Sequence, residues 1–237
     1  MIAGSYWQHI PAGQRQKSLI RRWKRFTEML NLPPARRYLE WIAIFNLTRR
    51  AKLYADAFAD SVSQNDPLDF LTDALSRCNQ RSPVTAFGLA DMITYLPCDL
   101  MTKVDIASMA HGLECRQPFL DYRVVELASR MPQQLKFHRG HGKRILRSVF
   151  RDLLPPSIQK RSKMGFGVPL DHWFRHELKS FAHDVLLDRQ TQQRGFFQPE
   201  SVVQLLNEHE QGRFNHGYRL WSLLIFELWQ RQWLSDR

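Results

Sequence analysis

The stretch YLPCDLMTKVDIASMAHGLECRQPFLDYR, from Tyr95 to Arg123, is the most informative window of the chain. Leu100, Val104, Ala107 and Ala110 recur at helical spacing on one face. Met101, Asp105, Ser108 and Met109 share another, because residues three and four apart are neighbours on a helix. That places a carboxylate among two methionines and a serine. A partly dried carboxylate either meets a cation or donor from elsewhere or titrates upward. Arg116 is the expected partner of Asp105, since pairing lowers the cost of burying both, and the two read as internal support for a site. Gly112 should end the helix as a left-handed cap. Asp121 is a good N-cap for a second helix, with Leu120 placed to pack on Val125 as a hydrophobic staple.

Composition sets a compatible frame. The chain has 237 residues, 43% of them hydrophobic, enough to bury a substantial core as one domain or as a piece of a larger one. Cys78, Cys98 and Cys115 are an odd number without ligand spacing, which points to a reducing compartment and to no metal site. The most apolar window, residues 220–229, LWSLLIFELW, is half a membrane span and contains Glu227. No secretory signal pattern opens the chain. A soluble, cytoplasmic protein without a membrane partner is expected.

The formal net charge of +11 is concentrated. Residues 1–50 hold ten Lys or Arg against two Glu, a balance of +8, most of it in GQRQKSLIRRWKRF, Arg36-Arg37 and Arg49-Arg50. A cationic stripe with Trp23 and Phe26 interleaved could track nucleic-acid phosphates. The competing reading makes Leu19, Ile20, Trp23, Phe26 and Leu30 the buried stripe of an amphipathic helix with a solvated Arg-rich face. No nucleic-acid-binding motif accompanies the charge, so the second reading is preferred and no nucleic-acid partner is expected.

Helical signals dominate the remainder. Pro33-Pro34 breaks the chain before RRYLEWIAIF, Asn46 caps the next helix, and Asp66-Pro67 is a cap followed by proline at the first helical position. Ser82-Pro83 should begin a long helix that carries Asp91 into the Tyr95 window. Strand signals are scarce, the best being Leu135-Lys136-Phe137. Pro199 starts a helix through Val202, Leu205 and Leu206. From Asn215 to Leu234, Tyr218, Trp221, Leu224, Ile225, Leu228 and Trp229 form a wide apolar face that should be largely buried. No repeat or low-complexity segment is visible.

Residues 140–169, GHGKRILRSVFRDLLPPSIQKRSKMGFGVP, hold a second functional signal. Lys143 and Arg147 lie one turn apart on a helix expected to end at Pro155-Pro156. The loop beyond carries Lys160, Arg161 and Lys163, then Gly165 and Gly167. Glycines let backbone amides approach an anion, and three cations would neutralise it, so the loop suits a phosphate. An ordinary basic surface loop is the alternative from composition alone. His138 and His141 lie near this loop without metal-ligand spacing.

These two segments carry a resemblance. The run YLPCDLMTKVDIASMAHGLECRQPFLD resembles the signature of the C-terminal, ATP-dependent synthetase domain of glutamine-hydrolysing asparagine synthetases, YLPxDxLVKVDRASMAxxLExRxPFLD. It departs at Cys98, Thr102, Ile106 and Gln117. RSKMGFGVP is similar to the family's RxKMGFGVP segment, and Gly195-Phe196-Phe197 and residues 220–229 resemble its closing segments. The resemblance implies a mainly α fold, the C-terminal helical portion of an adenine-nucleotide-hydrolase-like α/β synthetase domain. It implies that Lys163 contacts ATP phosphates and assists amide formation, with Arg161, Gly165 and Gly167 in the same phosphate-binding loop. It also implies that Asp99, the nearest match to a family carboxylate, helps handle protons as ammonia attacks. Alone, Asp99 reads equally as an acid favouring a helix dipole. ATP and magnesium are the implied cofactors, and aspartate and ammonia from glutamine the implied substrates.

In that family a Gly-rich acidic motif precedes a segment like Ala3-Gly4-Ser5-Tyr6, so Met1 stands where the middle of a motif would be. Neither an SGGxDS pyrophosphate loop nor a GxxxxGK loop occurs in the 237 residues. The resemblance therefore implies an N-terminally truncated synthetase: residues 1–90 a basic helical segment following the missing nucleotide-binding core, residues 91–237 the helical C-terminal portion. A separately encoded N-terminal half could complement it. The chain alone is expected to be inactive. A related amide-forming ligase and a non-catalytic remnant or interaction module stay open.

Overall fold

A computed structural model describes residues 32–78, 82–161 and 167–234. The basic segment before Leu32, with the stripe from Leu19 to Leu30, lies outside the described residues, as do Lys163 and Gly165. The chain divides into two compact units, Met1–Asp69 with Gly167–Arg237, and Phe70–Phe166. The expected division at residue 90 falls inside the helix Pro83–Ile93 of the second unit.

The elements of the first unit are helices, with one isolated antiparallel bridge between Tyr54 and Phe197 among its described residues. It contains α1 (Pro34–Ile42), α2 (Leu47–Leu53), α3 (Asp56–Ser61) and the first turn of α4 (Pro67–Ser76). Beyond Gly167 it continues with α11 (Leu170–Trp173), α12 (Lys179–Leu186), α13 (Arg189–Gln193), α14 (Pro199–Glu210) and α15 (Gly217–Trp233). The starts of these helices follow local chemistry. Asn46 accepts the Arg49 N–H at 3.0 Å, Pro34 and Pro199 stand in the first turns of α1 and α14, and Asp66 accepts the Leu68 N–H at 3.0 Å. Two of the clustered arginines also serve the fold, Arg50 and Arg36 approaching Asp66 at 3.4 and 3.8 Å. The Leu68 N–H first, and then Arg50, hold the Asp66 carboxyl below its ordinary range against the effect of burial.

The core of this unit brings Leu53 together with Leu170, Phe174, Val185, Leu206 and Leu220. Burying such side chains contributes on the order of 2 kcal/mol each. The α2–α3 corner is stitched to the C-terminal helices by backbone pairing: Gln198 N–H donates to Leu53 at 2.8 Å and Ala55 N–H to Phe196 at 3.0 Å. Phe58 adds ring contacts to Tyr54 and Phe196 at 4.9 and 5.0 Å. Gly217 sits in a close approach where α15 starts: a Cβ there would stand 3.1 Å from the Asp171 backbone nitrogen.

The expected apolar face of α15 is corrected by the structure. The buried residues are Leu220, Leu223, Leu224, Glu227 and Gln230, while Tyr218, Trp221, Ile225 and Trp229 remain exposed. Only Leu224 of the expected face is fully buried, with Leu228 partly buried against the core. Both stripes are apolar, and the core selects the leucine-rich one with Glu227 at its centre.

The second unit carries the rest of α4, α5 (Pro83–Ile93), a π-helical segment (Leu96–Met101), α6 (Thr102–Met109), a 3-10 turn (Pro118–Leu120) and α7 (Tyr122–Arg130). It continues with α8 (Gln133–Lys136), β1 (Phe137–His138), β2 (His141–Gly142), α9 (Arg144–Val149), a 3-10 turn (Arg151–Leu153) and α10 (Pro156–Lys160). Ser82 caps α5 by accepting from the Thr85 N–H. The mainly α expectation holds, since the sheet among the described residues is one antiparallel hairpin pairing Phe137 with Gly142 and His138 with His141.

Three local expectations are revised here. Leu135 and Lys136 are helical, and extended backbone starts at Phe137. Arg139 and Gly140 both have positive φ, +48° and +81°, as the two-residue turn between twisted strands requires. Helix α9 stops at Val149, short of Pro155, and Lys143 stands before it with φ +56°. The helix into the Tyr95 window is broken at Thr94 and resumes as the π segment. Pro97 explains this: it brings no N–H, so an unaltered α ladder cannot run through it. The Thr102 hydroxyl donates to the Pro97 carbonyl at 2.7 Å, closing the widened turn.

Candidate functional site

Asp99 stands on the π segment, a form that recurs at functional sites. Its Oδ1 lies 3.8 Å from Nζ of Lys103, one turn on, and the Tyr95 phenol, one turn back, hydrogen-bonds to it. Partial burial first, and then the Asp99 carboxylate, push the Tyr95 phenol above its ordinary value. A carboxylate between a phenol and an ammonium can accept a proton and keep its orientation while doing so. Tyr95 and Lys103 were not singled out from the sequence, although the four-residue spacing of Tyr95, Asp99 and Lys103 carries that signal.

Asp121 is the N-cap of α7, its Oδ1 accepting the Arg123 N–H at 2.9 Å. The Arg123 guanidinium grips both carboxylate oxygens, Nε to Oδ1 at 2.9 Å and Nη2 to Oδ2 at 2.8 Å. These bonds, with the side chain of Arg123 first, hold the Asp121 carboxyl below its usual range. The proposed end of α6 is also found. Gly112 has φ +66°, with Leu113 N–H donating to Ser108 and Gly112 N–H to Met109 at 3.0 and 2.9 Å, the paired bonds of a Schellman cap.

Asp105 and Arg116 are not brought together as buried partners. Asp105 is exposed on α6, and Arg116 Nε bonds Glu114 at 2.7 Å with its side chain 87% exposed. Removing the Asp105 charge from water is unnecessary here, so no partner is demanded. The dried face expected around Met101 and Met109 is absent for the same reason, Met109 being exposed.

Of the basic loop, the structure describes Arg161 and Gly167. Arg161 is exposed on extended backbone just after α10. An added Cβ at Gly167 would meet nothing within 4 Å, so the space before this backbone is open. No group of three His, Cys, Asp or Glu among the described residues could hold a metal ion, so the described side chains do not by themselves fit magnesium. No described helix is long and apolar enough to cross a membrane.

The first unit holds a second polar cluster that composition did not reveal. His209 is fully buried, its Nδ1 accepting the His216 N–H at 2.9 Å while Nε2 donates to the Asp171 carbonyl at 3.1 Å. Both ring nitrogens are committed and the ring is neutral. His216 accepts from Arg219 at Nδ1 and donates to Glu208 from Nε2, at 2.6 and 2.7 Å. Burial, more than any neighbour, lowers the pKa of both rings. These are ties between helices, and they sit in the unit apart from Asp99 and Arg161.

The asparagine synthase family model matches residues 2–231. Asparagine synthetase [glutamine-hydrolyzing] 1 of Bacillus subtilis is 28% identical over 220 residues, covering 93% of this chain and 33% of that protein. A putative asparagine synthetase [glutamine-hydrolyzing] of Mycobacterium tuberculosis H37Rv is 37% identical over 148 residues, covering 62% of this chain and 22% of that protein. The human asparagine synthetase [glutamine-hydrolyzing] is 26% identical over 148 residues, 56% of this chain and 25% of that protein. The chain thus spans a third or less of the length of these relatives. No solved structure matches it significantly. With the match running through the Tyr95–Arg123 window and the basic loop alike, the chain belongs to the asparagine synthase family.

Proposed function

We propose that these residues form the C-terminal helical part of a glutamine-hydrolysing asparagine synthetase, acting with a nucleotide-binding portion encoded before them or separately. The observation that carries this reading is the family match over residues 2–231, which encloses both YLPCDLMTKVD and RSKMGFGVP.

In the proposed reaction an oxygen of the aspartate side-chain carboxylate attacks the α-phosphorus of ATP and pyrophosphate leaves. Ammonia then attacks the acyl carbon, the C–O bond to AMP breaks, and one proton leaves the nitrogen. Lys163, with Arg161 beside it and the backbone of Gly165 and Gly167, binds the phosphate oxygens and stabilises their developing charge. Asp99, oriented by Tyr95 and Lys103, takes the proton. Magnesium, when bound, would neutralise phosphate charge. Its ligands are not among the described side chains and no step is routed through it.

The test is a chimera joining the upstream portion of the Bacillus subtilis relative to this chain. Asparagine formation from aspartate, ATP and glutamine should appear, and Lys163→Ala should lower it by roughly a hundredfold or more. Thermal stability should hold. The 237 residues alone should release no pyrophosphate from ATP on adding aspartate, because they contain neither SGGxDS nor GxxxxGK. Full activity of the Lys163→Ala chimera would make the lysine a bystander.

A further inference from the structure

The turn that carries Asp99 is held at each end by a threonine hydroxyl. Upstream, Thr94 is buried, and its Oγ1 and its N–H both donate to the Ala90 carbonyl, at 2.8 and 3.0 Å. Downstream, Thr102 is exposed and reaches two different carbonyls. Its N–H donates to that of Asp99, and its Oγ1 to that of Pro97, five residues back, at 2.7 Å. These two carbonyls bracket Cys98 and Asp99, so one residue fixes the backbone on either side of the carboxylate. A widened turn interrupts the regular run of helical bonds, and a carbonyl left over from it is free to take another donor. The side chains that meet Asp99 come from opposite sides of this turn. Tyr95, whose phenol hydrogen-bonds to it, immediately precedes the π segment, and Lys103, with Nζ at 3.8 Å, follows in α6. The winding of the turn therefore decides whether the carboxylate faces both.

We propose that Thr102 is a positioning residue for Asp99: by holding the Pro97 carbonyl, its hydroxyl keeps the π turn wound so that the carboxylate stands between Tyr95 and Lys103. This rests on the reading above in which Asp99 takes the proton as ammonia attacks. The part assigned to Thr102 belongs to the hydroxyl alone. A valine has the same branched shape and the same N–H, and lacks only the second donor. Valine also stands at this place in the pattern YLPxDxLVKVDR, so the clamp is a feature of this chain and not of the motif. One turn on, the Ser108 hydroxyl donates to the Asp105 carbonyl at 3.1 Å, a bond of the same kind outside the π segment. It provides a control.

Two measurements test the proposal. In the chimera described above, Thr102→Val should lower kcat for asparagine formation by roughly threefold to tenfold, the worth of one hydroxyl bond, with KM for ATP and aspartate unchanged. Thr102→Ser restores the donor and should recover most of the rate, and Ser108→Ala should leave kcat as it is. In the 237-residue chain, NMR of isotope-labelled tyrosine, with Tyr95→Phe to identify the signal, follows the Tyr95 phenol through its titration. Its midpoint should stand above the ordinary tyrosine value, fall in Asp99→Asn and fall likewise in Thr102→Val, while circular dichroism and the melting temperature stay unchanged. A midpoint that stays raised in Thr102→Val overturns the proposal, as does an unchanged kcat in the Thr102→Val chimera when Asp99→Asn abolishes it. Full activity of the Asp99→Asn chimera would instead overturn the proton-accepting role of Asp99, and the Tyr95 midpoint would then judge Thr102 by itself. Should Thr102→Val not fold, Thr102→Ala, which also lacks the donor, takes its place in both measurements.

Discussion

Nε of Arg194 lies 2.9 Å from Oε2 of Glu227, tying the end of α13 to the middle of α15. Arg231 Nε reaches the other oxygen at 2.9 Å, and its Nη2 continues to Asp188 at 2.8 Å and Thr191 at 3.0 Å. The Glu227 side chain is 2% exposed, so two guanidiniums replace nearly all of its hydration.

Breaking this network from its buried end should cost most. Glu227→Ala removes the acceptor and leaves two cations facing a cavity, a loss expected at about 3 kcal/mol. Glu227→Gln keeps the shape and one acceptor oxygen and should cost less. Urea unfolding measures both, and an unchanged midpoint for Glu227→Ala would make the network incidental.

Stability should fall as the solution is acidified through the histidine range. Both His209 and His216 titrate below the ordinary 6.5 in the folded chain, because burial disfavours their charged form. Below about pH 6.5 the unfolded chain therefore binds protons that the folded chain refuses. The stability is fully present above that pH and declines as pH drops below it, by up to about 1.4 kcal/mol per pH unit for each ring. His209→Gln should flatten the dependence by about one proton when midpoints are compared between pH 7.5 and 5. The same slope in that variant would exclude His209 as its source.

Two glycines should fail for different reasons. Gly112→Ala forces a side chain into the left-handed region at φ +66° with open space around it, a cost of about 1 kcal/mol that Asn should partly relieve. Gly217→Ala meets the Asp171 backbone at 3.1 Å and should cost about 1 to 3 kcal/mol, with no relief from Asn. Hydrogen exchange should place the first effect at α6 and the second at the α11–α15 contact.

Asp105 and Arg116 should be energetically independent in the 237-residue chain. Each is exposed, and Arg116 is engaged with Glu114. Asp105→Asn should shift stability by no more than about half a kcal/mol. A double-mutant cycle should return no coupling between the pair, and a coupling above about 1 kcal/mol would restore the pairing read from the sequence.

What the amino-acid sequence determined by itself is a set of local helix starts and one helix end, together with family membership. Asn46, Asp66 and Asp121 cap the helices they were expected to cap, and a helix starts at Ser82-Pro83 as expected, because a short polar side chain reaches a backbone N–H two or three residues on. Gly112 ends α6 because glycine tolerates a left-handed conformation. Only the tertiary structure decided which apolar stripe of α15 is buried and that Arg116 turns to Glu114. Hydropathy ranks Trp221 and Ile225 as well as Leu220 and Leu223. The choice between them lies with residues distant in the chain, Phe174 and Leu206 in the core and Arg194 at Glu227, whose positions no local pattern encodes.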